Sequence, residues 1–175
     1  MSAGRKNNSQ NKSWGTPIKY VKVITEFFDG KIELDPCSNE YSIVNAQVEY
    51  LLPHKDGLKE IWNAKKIFVN PPYGRDSERG TSIKNWLAKC KDTFYNNHSE
   101  ILALIPVATN TSHWKENIYN HANSICFLSD SRLKFLENGK EGGKGAPMAC
   151  AIIYWGSDYE KFKRFFDSYG FVVKI

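Results

Sequence analysis

Asn70-Pro71-Pro72-Tyr73 follows the apolar run Ile67-Phe68-Val69 without a break, and its residue types suit chemistry on a planar amine. The Asn70 side-chain carbonyl and the Pro71 backbone carbonyl are two acceptors, enough to take both hydrogens of an N–H2 group and aim its lone pair outward. Tyr73 adds a flat face on which a ring can stack, a contact worth roughly 1–3 kcal/mol per base in single-strand binders. The prolines stiffen the loop, because proline has no N–H for a ladder and disfavours helix in the residue before it. The plain structural alternative is a Pro-Pro turn with an Asn cap and a core tyrosine. Position argues for chemistry, since ligands of open α/β sheets sit outside the carboxyl ends of strands.

Other acids and polar groups stand at comparable places. Ile32-Glu33-Leu34-Asp35 reads as a short strand ending in an acid, followed by Pro36-Cys37-Ser38-Asn39. In doubly wound folds an acid there holds a cofactor's amine or hydroxyls; as an Asx turn it needs no ligand. Asp56-Gly57 is equally a turn or a second contact on the same side. Gly74-Arg75-Asp76-Ser77-Glu78-Arg79-Gly80, next to the quartet, is either solvent-facing punctuation or a lid with phosphate contacts through Arg75 or Arg79.

The elements that must position these groups alternate along the chain. Thr16 and Pro17 are a ready N-cap and first helical residue for an apolar set of Tyr20, Val21, Ile24, Phe27 and Phe28. A short strand is expected over 48–52. The stretch between Asp35 and Asn70 is tight for two full β-α units, so that side of the sheet should be abbreviated. Ser82 caps a helix whose Ile83, Trp86, Leu87, Cys90 and Phe94 share one face, with Trp86 in the core. The continuous apolar run over 101–106 is a strand buried on both faces, expected beside the Asn70 strand. A helix over 109–122 and strands over 125–128, 133–135 and 149–155 follow. The Gly-rich loop over 137–146, with Lys140 and Lys144, is a flexible hairpin connection or a flap over a ligand. A helix over 159–169 and an edge strand over 171–174 close the chain. Strand, helix, strand repetition is the doubly wound signature.

Composition bounds the function. The 175 residues are 41% hydrophobic and 14% aromatic, enough for one well-packed domain and against disorder. No apolar run approaches the ~20 residues of a membrane helix. Residues 1–13 are polar, carry Arg5, Lys6 and Lys12 and lack the apolar core of a secretory signal, so they read as a flexible arm before a single domain over 14–175. Cys37, Cys90, Cys126 and Cys150 are too widely spaced for a zinc or redox motif, and the histidines form no ligand pair, so no metal is expected. The net charge of +5 has the sign that favours a polyanion without proving one.

The ordered set Trp14-Gly15-Thr16-Pro17, Leu34-Asp35-Pro36-Cys37, Asp56-Gly57-Leu58 with Trp62, Asn70 to Tyr73, and Ser131-Arg132-Leu133-Lys134-Phe135 resembles the short phage and prophage DNA N-6-adenine methyltransferases (Dam-like). The likeness runs from about Trp14 to Trp155. It implies a Rossmann-like S-adenosylmethionine-dependent methyltransferase fold, with a mostly parallel sheet and an antiparallel strand near the C-terminus. The implied reaction moves a methyl group from S-adenosylmethionine to N6 of a flipped-out adenine in DNA and leaves S-adenosylhomocysteine. Asn70, Pro71, Pro72 and Tyr73 are then catalytic. Trp14, Thr16, Pro17, Asp35, Ser38, Asn45 and Asp56 hold the donor, in a pocket between the quartet and Asp35. Arg75, Arg79, Arg132, Lys140 and Lys144 are the expected nucleic-acid contacts. The likeness also implies cytoplasmic action in a bacterial host, from a phage or prophage gene, in the setting of restriction and modification. No residues remain for a separate target-recognition domain. Two rivals stay open: an amino-methyltransferase acting on RNA or protein glutamine, whose usual glycine-rich donor loop is absent between Lys31 and Lys55, and a DNA-binding module without turnover.

Overall fold

The computed structural model describes residues 14–142 and 145–175; the arm expected over 1–13 and Lys144 lie outside the described residues. Along the chain come β1 (Trp14–Gly15), α1 (Ile18–Phe27), β2 (Leu34–Asp35), β3 (Val48–Glu49), β4 (Lys66–Val69), α2 (Ile83–Asn97) and β5 (Glu100–Pro106). They are followed by α3 (Ser112–Asn117), β6 (Ser124–Leu128), β7 (Leu136–Glu137), β8 (Cys150–Trp155), α4 (Tyr159–Phe166) and β9 (Gly170–Lys174). Seven strands form one mixed sheet in the order β3-β2-β4-β5-β8-β6-β9, while β1 and β7 pair apart from it.

Strand directions decide where a site can form. β3, β2, β4 and β5 are mutually parallel, and β8 lies antiparallel between β5 and β6. β6 therefore points the same way as β5, and the carboxyl ends of β2, β4, β5 and β6 line one edge of the molecule. Two strands, not the single one expected, run against this direction, because β9 is antiparallel to β6. The cause is α4: a helical crossover returns the chain to its starting end, so β9 must run with β8.

The sheet is buried on both faces. α1 and α4 cover one with Tyr20, Ile24, Phe27, Phe162 and Phe166 against Phe68, Leu102 and Leu104. The other lies under α2 and α3, where Trp62, Trp86, Leu87 and Trp114 meet Ile67, Val69, Ile101 and Ala103. The alternation of Ile101, Leu102, Ala103 and Leu104 between layers is the period of two of a strand, and Trp86 is core as expected.

Local departures have local causes. The helix expected over 109–122 contracts to α3, which ends at Asn117 with Ile118 as its cap, and Asn120 just beyond takes a left-handed turn. Residues 133–135 are not a strand; pairing begins at Leu136, opposite Gly15. Thr16 caps nothing: α1 begins after Pro17, which occupies the cap position with ψ 144°, and the Thr16 hydroxyl is used elsewhere.

Candidate active site

β4 ends at Val69 and the chain turns at once into the quartet, with Pro71 buried, Pro72 exposed, and Asn70 and Tyr73 half-buried. The Asn70 amide is held from both sides. Its Nδ2 donates to the Trp14 carbonyl at 3.4 Å and to Thr16 Oγ1 at 3.2 Å, and its Oδ1 accepts from the Tyr73 hydroxyl at 3.1 Å. The carbonyl partner fixes which end of the amide is nitrogen, so Oδ1 faces the other way with a second lone pair to offer. The Tyr73 hydroxyl also lies 3.1 Å from the Leu104 carbonyl of β5, so it points inward rather than to solvent. Burial, with smaller effects from Cys150 and Cys37, raises its pKa well above the ordinary phenol value and keeps it neutral.

The Tyr73 ring meets Trp14 edge-on at 6.5 Å and Phe135 edge-on at 5.7 Å. Those two stack on each other at 5.1 Å, 8° from parallel. The pairing of β1 with β7 brings them there, with Trp14 opposite Glu137. The family resemblance puts Trp14 with the donor, and Phe135 falls in an expected strand; the ladder that joins them is only two residues long on each side and gives no periodic signal.

At the tip of β2, Asp35 is buried and its Oδ1 accepts from the Cys37 backbone N–H at 3.1 Å. Its pKa is raised to about 7, first by loss of water around the charge; the Glu49 carboxylate opposite it on β3 adds to this, and the Cys37 N–H opposes it. Among the described residues no ion pair involves Asp35. Ser38 Oγ is buried with no hydrogen-bond partner among them. A buried acid with no ion pair among the described residues, three positions before a buried hydroxyl with no partner among them, fits a cationic ligand that also carries hydroxyl or amine groups. Cys37 stands on this side through its backbone N–H on Asp35, and burial, with the Asp35 charge, holds its thiol well above the ordinary pKa against a smaller opposing effect of the Asn70 backbone. In the sequence only its place in the Asp-Pro-Cys-Ser run marks it.

Gly57 explains how Asp56 comes close: a Cβ there would lie 1.7 Å from the Pro36 carbonyl, so only glycine lets the turn pack on the β2 tip. Asp56 does not stand open, however. Its Oδ1 accepts from the Leu58 N–H and from Arg79 Nη1, both at 3.0 Å, and Arg79 Nε donates to Asp76 Oδ2 at 2.9 Å. Asp56 and Arg79, expected at donor and DNA respectively, are thus partners. Arg75, Arg132 and Lys140 are exposed, and Asn45 is exposed in a left-handed turn with φ 52°.

A cavity of about 560 Å3 opens between Pro17, Ile18 and Lys19 on one wall and Asp130, Arg132 and Lys134 on the other. A smaller one, about 160 Å3, lies beside Glu33, Gln47, Tyr50 and Asn63. Neither is lined by Asn70 or Asp35, so the pocket expected between those two residues is neither of these.

Comparison with known proteins accords with these features. Residues 4–171 match the family described as DNA N-6-adenine-methyltransferase (Dam). The DNA N-6-adenine-methyltransferase of Haemophilus phage HP1 (strain HP1c1) is 23% identical over 139 residues, 79% of this chain and 74% of that one. No solved structure matches. With residues 4–171 matched, the chain belongs to the DNA N-6-adenine-methyltransferase (Dam) family.

Proposed function

We propose that this DNA N-6-adenine methyltransferase takes its methyl group from S-adenosylmethionine bound across the tips of β2 and β4, and delivers it in line to an adenine swung out of the DNA helix. The fixed Asn70 amide carries the reading. With Nδ2 engaged by Trp14 and Thr16, Oδ1 is presented as an acceptor and the Pro71 carbonyl is the natural second one. Together they hold the N6 hydrogens and direct its lone pair. Tyr73 contributes a ring for the base to stack on and a hydroxyl that steadies Asn70. Flipping costs a few kcal/mol, which contacts to the extruded base must offset. No strong base is needed, because the methylated nitrogen sheds its extra proton readily; positioning and electrostatics supply most of the rate.

Asp35 and Ser38 are the groups that would hold the donor's polar atoms, with Asp56 behind them and Asn45 as a further proposed contact; Trp14 and Thr16 act on the donor side through the Asn70 amide that they hold, and Pro17 faces the cavity on its other side. When bound, S-adenosylmethionine supplies a methyl group on a positively charged sulfur. The Asp35 carboxylate lowers the energy of that charge and of the amine. Strand order supports a Rossmann-like methyltransferase fold. From β2 the chain goes outward to β3, and from β4 the other way to β5, so the order reverses between β2 and β4, where such folds bind ligands. Residues 14–175 are read as one methyltransferase domain whose loops choose the flanking bases. No helix among the described residues is long and apolar enough to cross a membrane; acting on DNA, the enzyme is proposed to work in the cytoplasm of a bacterial host.

The test is direct. Unmethylated DNA incubated with labelled donor and digested to nucleosides should yield label in N6-methyladenine. Label on another nucleoside, or none, refutes the assignment.

A further inference from the structure

The larger cavity adjoins the quartet on the side away from Asp35. Thr16, bonded to Asn70, precedes Pro17 on one wall. Phe135, edge-on to Tyr73, follows Lys134 on the other. In sheet order the tips run from Asp35 and Glu49 on β2 and β3, through Asn70 on β4, to the 130–134 segment beyond β6. Acid groups suited to a cationic donor stand on one flank of Asn70 and cations on the other.

This flank is a built site. The Tyr20 hydroxyl and Lys19 Nζ both donate to Asp130, the lysine at 2.5 Å, which pins the segment to α1. Gly145 packs so closely that an added Cβ would come within 2.3 Å of Arg132 Cβ, and the Ala146 N–H donates to the Leu133 carbonyl at 2.7 Å. Arg132 and Lys134 themselves have no hydrogen bond or ion pair among the described residues, unlike Lys66, Lys84, Lys161 and Lys163. Glu141 also lines the cavity, while the Asp130 charge is engaged by Lys19. The balance remains cationic.

We propose that this cavity receives a backbone phosphodiester of the DNA strand beside the flipped adenine, with Arg132 and Lys134 as its cationic contacts and the Lys19–Asp130–Tyr20 cluster as the pin that keeps its two walls together. The inference rests on the reaction proposed at Asn70. It adds Lys134 and the pin, and it gives Arg132 a partner that it lacks among the described residues.

Anisotropy of labelled unmethylated duplex, titrated at several salt concentrations, tests it on the full chain. Arg132→Ala and Lys134→Ala should each weaken binding on the order of tenfold and reduce the slope of log affinity against log salt by about 1. Lys91→Ala, which removes the same charge from α2 outside the cavity, should leave the slope as it is. Donor affinity, measured by calorimetry, should not change in any of the three. If Arg132→Ala melts early, Arg132→Gln removes the charge while keeping a longer side chain and gives the same reading. An unchanged slope in the double variant overturns the proposal. So does a loss of donor affinity with the DNA slope intact, which would make the cavity the seat of the donor's carboxylate. Wild-type protein that binds duplex with a steep slope but forms no N6-methyladenine would sink the reaction and leave the slopes to judge the cavity.

Discussion

Asn70 can direct an amine only while its own amide is prevented from turning, and three groups see to that: the Trp14 carbonyl and the Thr16 and Tyr73 hydroxyls. Asn70→Ala removes the oriented acceptor and leaves Asp35 and Ser38 in place. Turnover should fall by about 10²–10³, the scale of losing one transition-state hydrogen-bond partner, with donor affinity within twofold of wild type by calorimetry. Equal turnover would remove Asn70 from the mechanism. Tyr73→Phe separates two functions of one side chain. The ring and its edge contacts with Trp14 and Phe135 survive, while the hydroxyl that holds Asn70 Oδ1 and reaches Leu104 is lost. Stability should drop by roughly 1 kcal/mol, and turnover should fall with DNA affinity unchanged. Tyr73→Ala should lose DNA affinity as well, since stacking goes with the ring. If both variants lose DNA affinity equally, the ring is not a platform for the base.

Elements converge on this residue through contacts shorter than a turn of helix, and two of them can be broken selectively. Gly57→Ala forces a methyl into the Pro36 carbonyl, so the Asp56 turn must lift from the β2 tip. Donor affinity should fall while duplex binding persists, which paired titrations would read. The Arg79 clasp joins the loop after the quartet to the same turn. A double-mutant cycle of Arg79→Gln and Asp56→Asn should show coupling of about 1 kcal/mol in thermal stability, because neither partner is fully exposed; additive effects would mean the pair holds nothing. What could be read from residues alone follows the same division. The strand before Asn70, its neighbour β5, the amphipathic α2 with Trp86 inward and the acid ending β2 all announce themselves through period, run length or turn chemistry. The pairing of Trp14–Gly15 with Leu136–Glu137 does not, because two residues have no period and their partner is more than a hundred positions away. Nor could the Arg79–Asp56 pair be foreseen: each residue had a local reason to face a ligand, and only the tertiary fold brings them together. The Thr16 hydroxyl shows a local rule overruled, since the cap position falls to Pro17 and the freed hydroxyl binds Asn70.

On the scale of the whole molecule, the acid at the β2 tip ties stability to both pH and ligand. Burial raises the Asp35 pKa from an ordinary 3.8 to about 7 in the folded chain. The folded state therefore holds this proton more tightly than the unfolded state does. Its contribution is fully present below about pH 4, declines as pH rises toward 7, and is gone above that. The penalty for the bare charge is on the order of 4 kcal/mol as an upper bound. A bound cationic donor changes the account, because it offsets the charge that burial penalises and binds only the folded state. At a hundred times its dissociation constant it adds about 2.7 kcal/mol. Melting temperature measured from pH 5 to 8.5 should fall with pH for the donor-free protein and fall less in saturating S-adenosylmethionine. The stabilisation by donor should be largest above pH 7, where Asp35 is ionised. Asp35→Asn should flatten the donor-free curve, raise it at pH 8 and shrink the donor's effect throughout. If the variant instead retains the wild-type slope and the full donor shift, the buried acid is neither the titrating group nor a donor contact, and the cationic ligand must be held elsewhere along the strand tips.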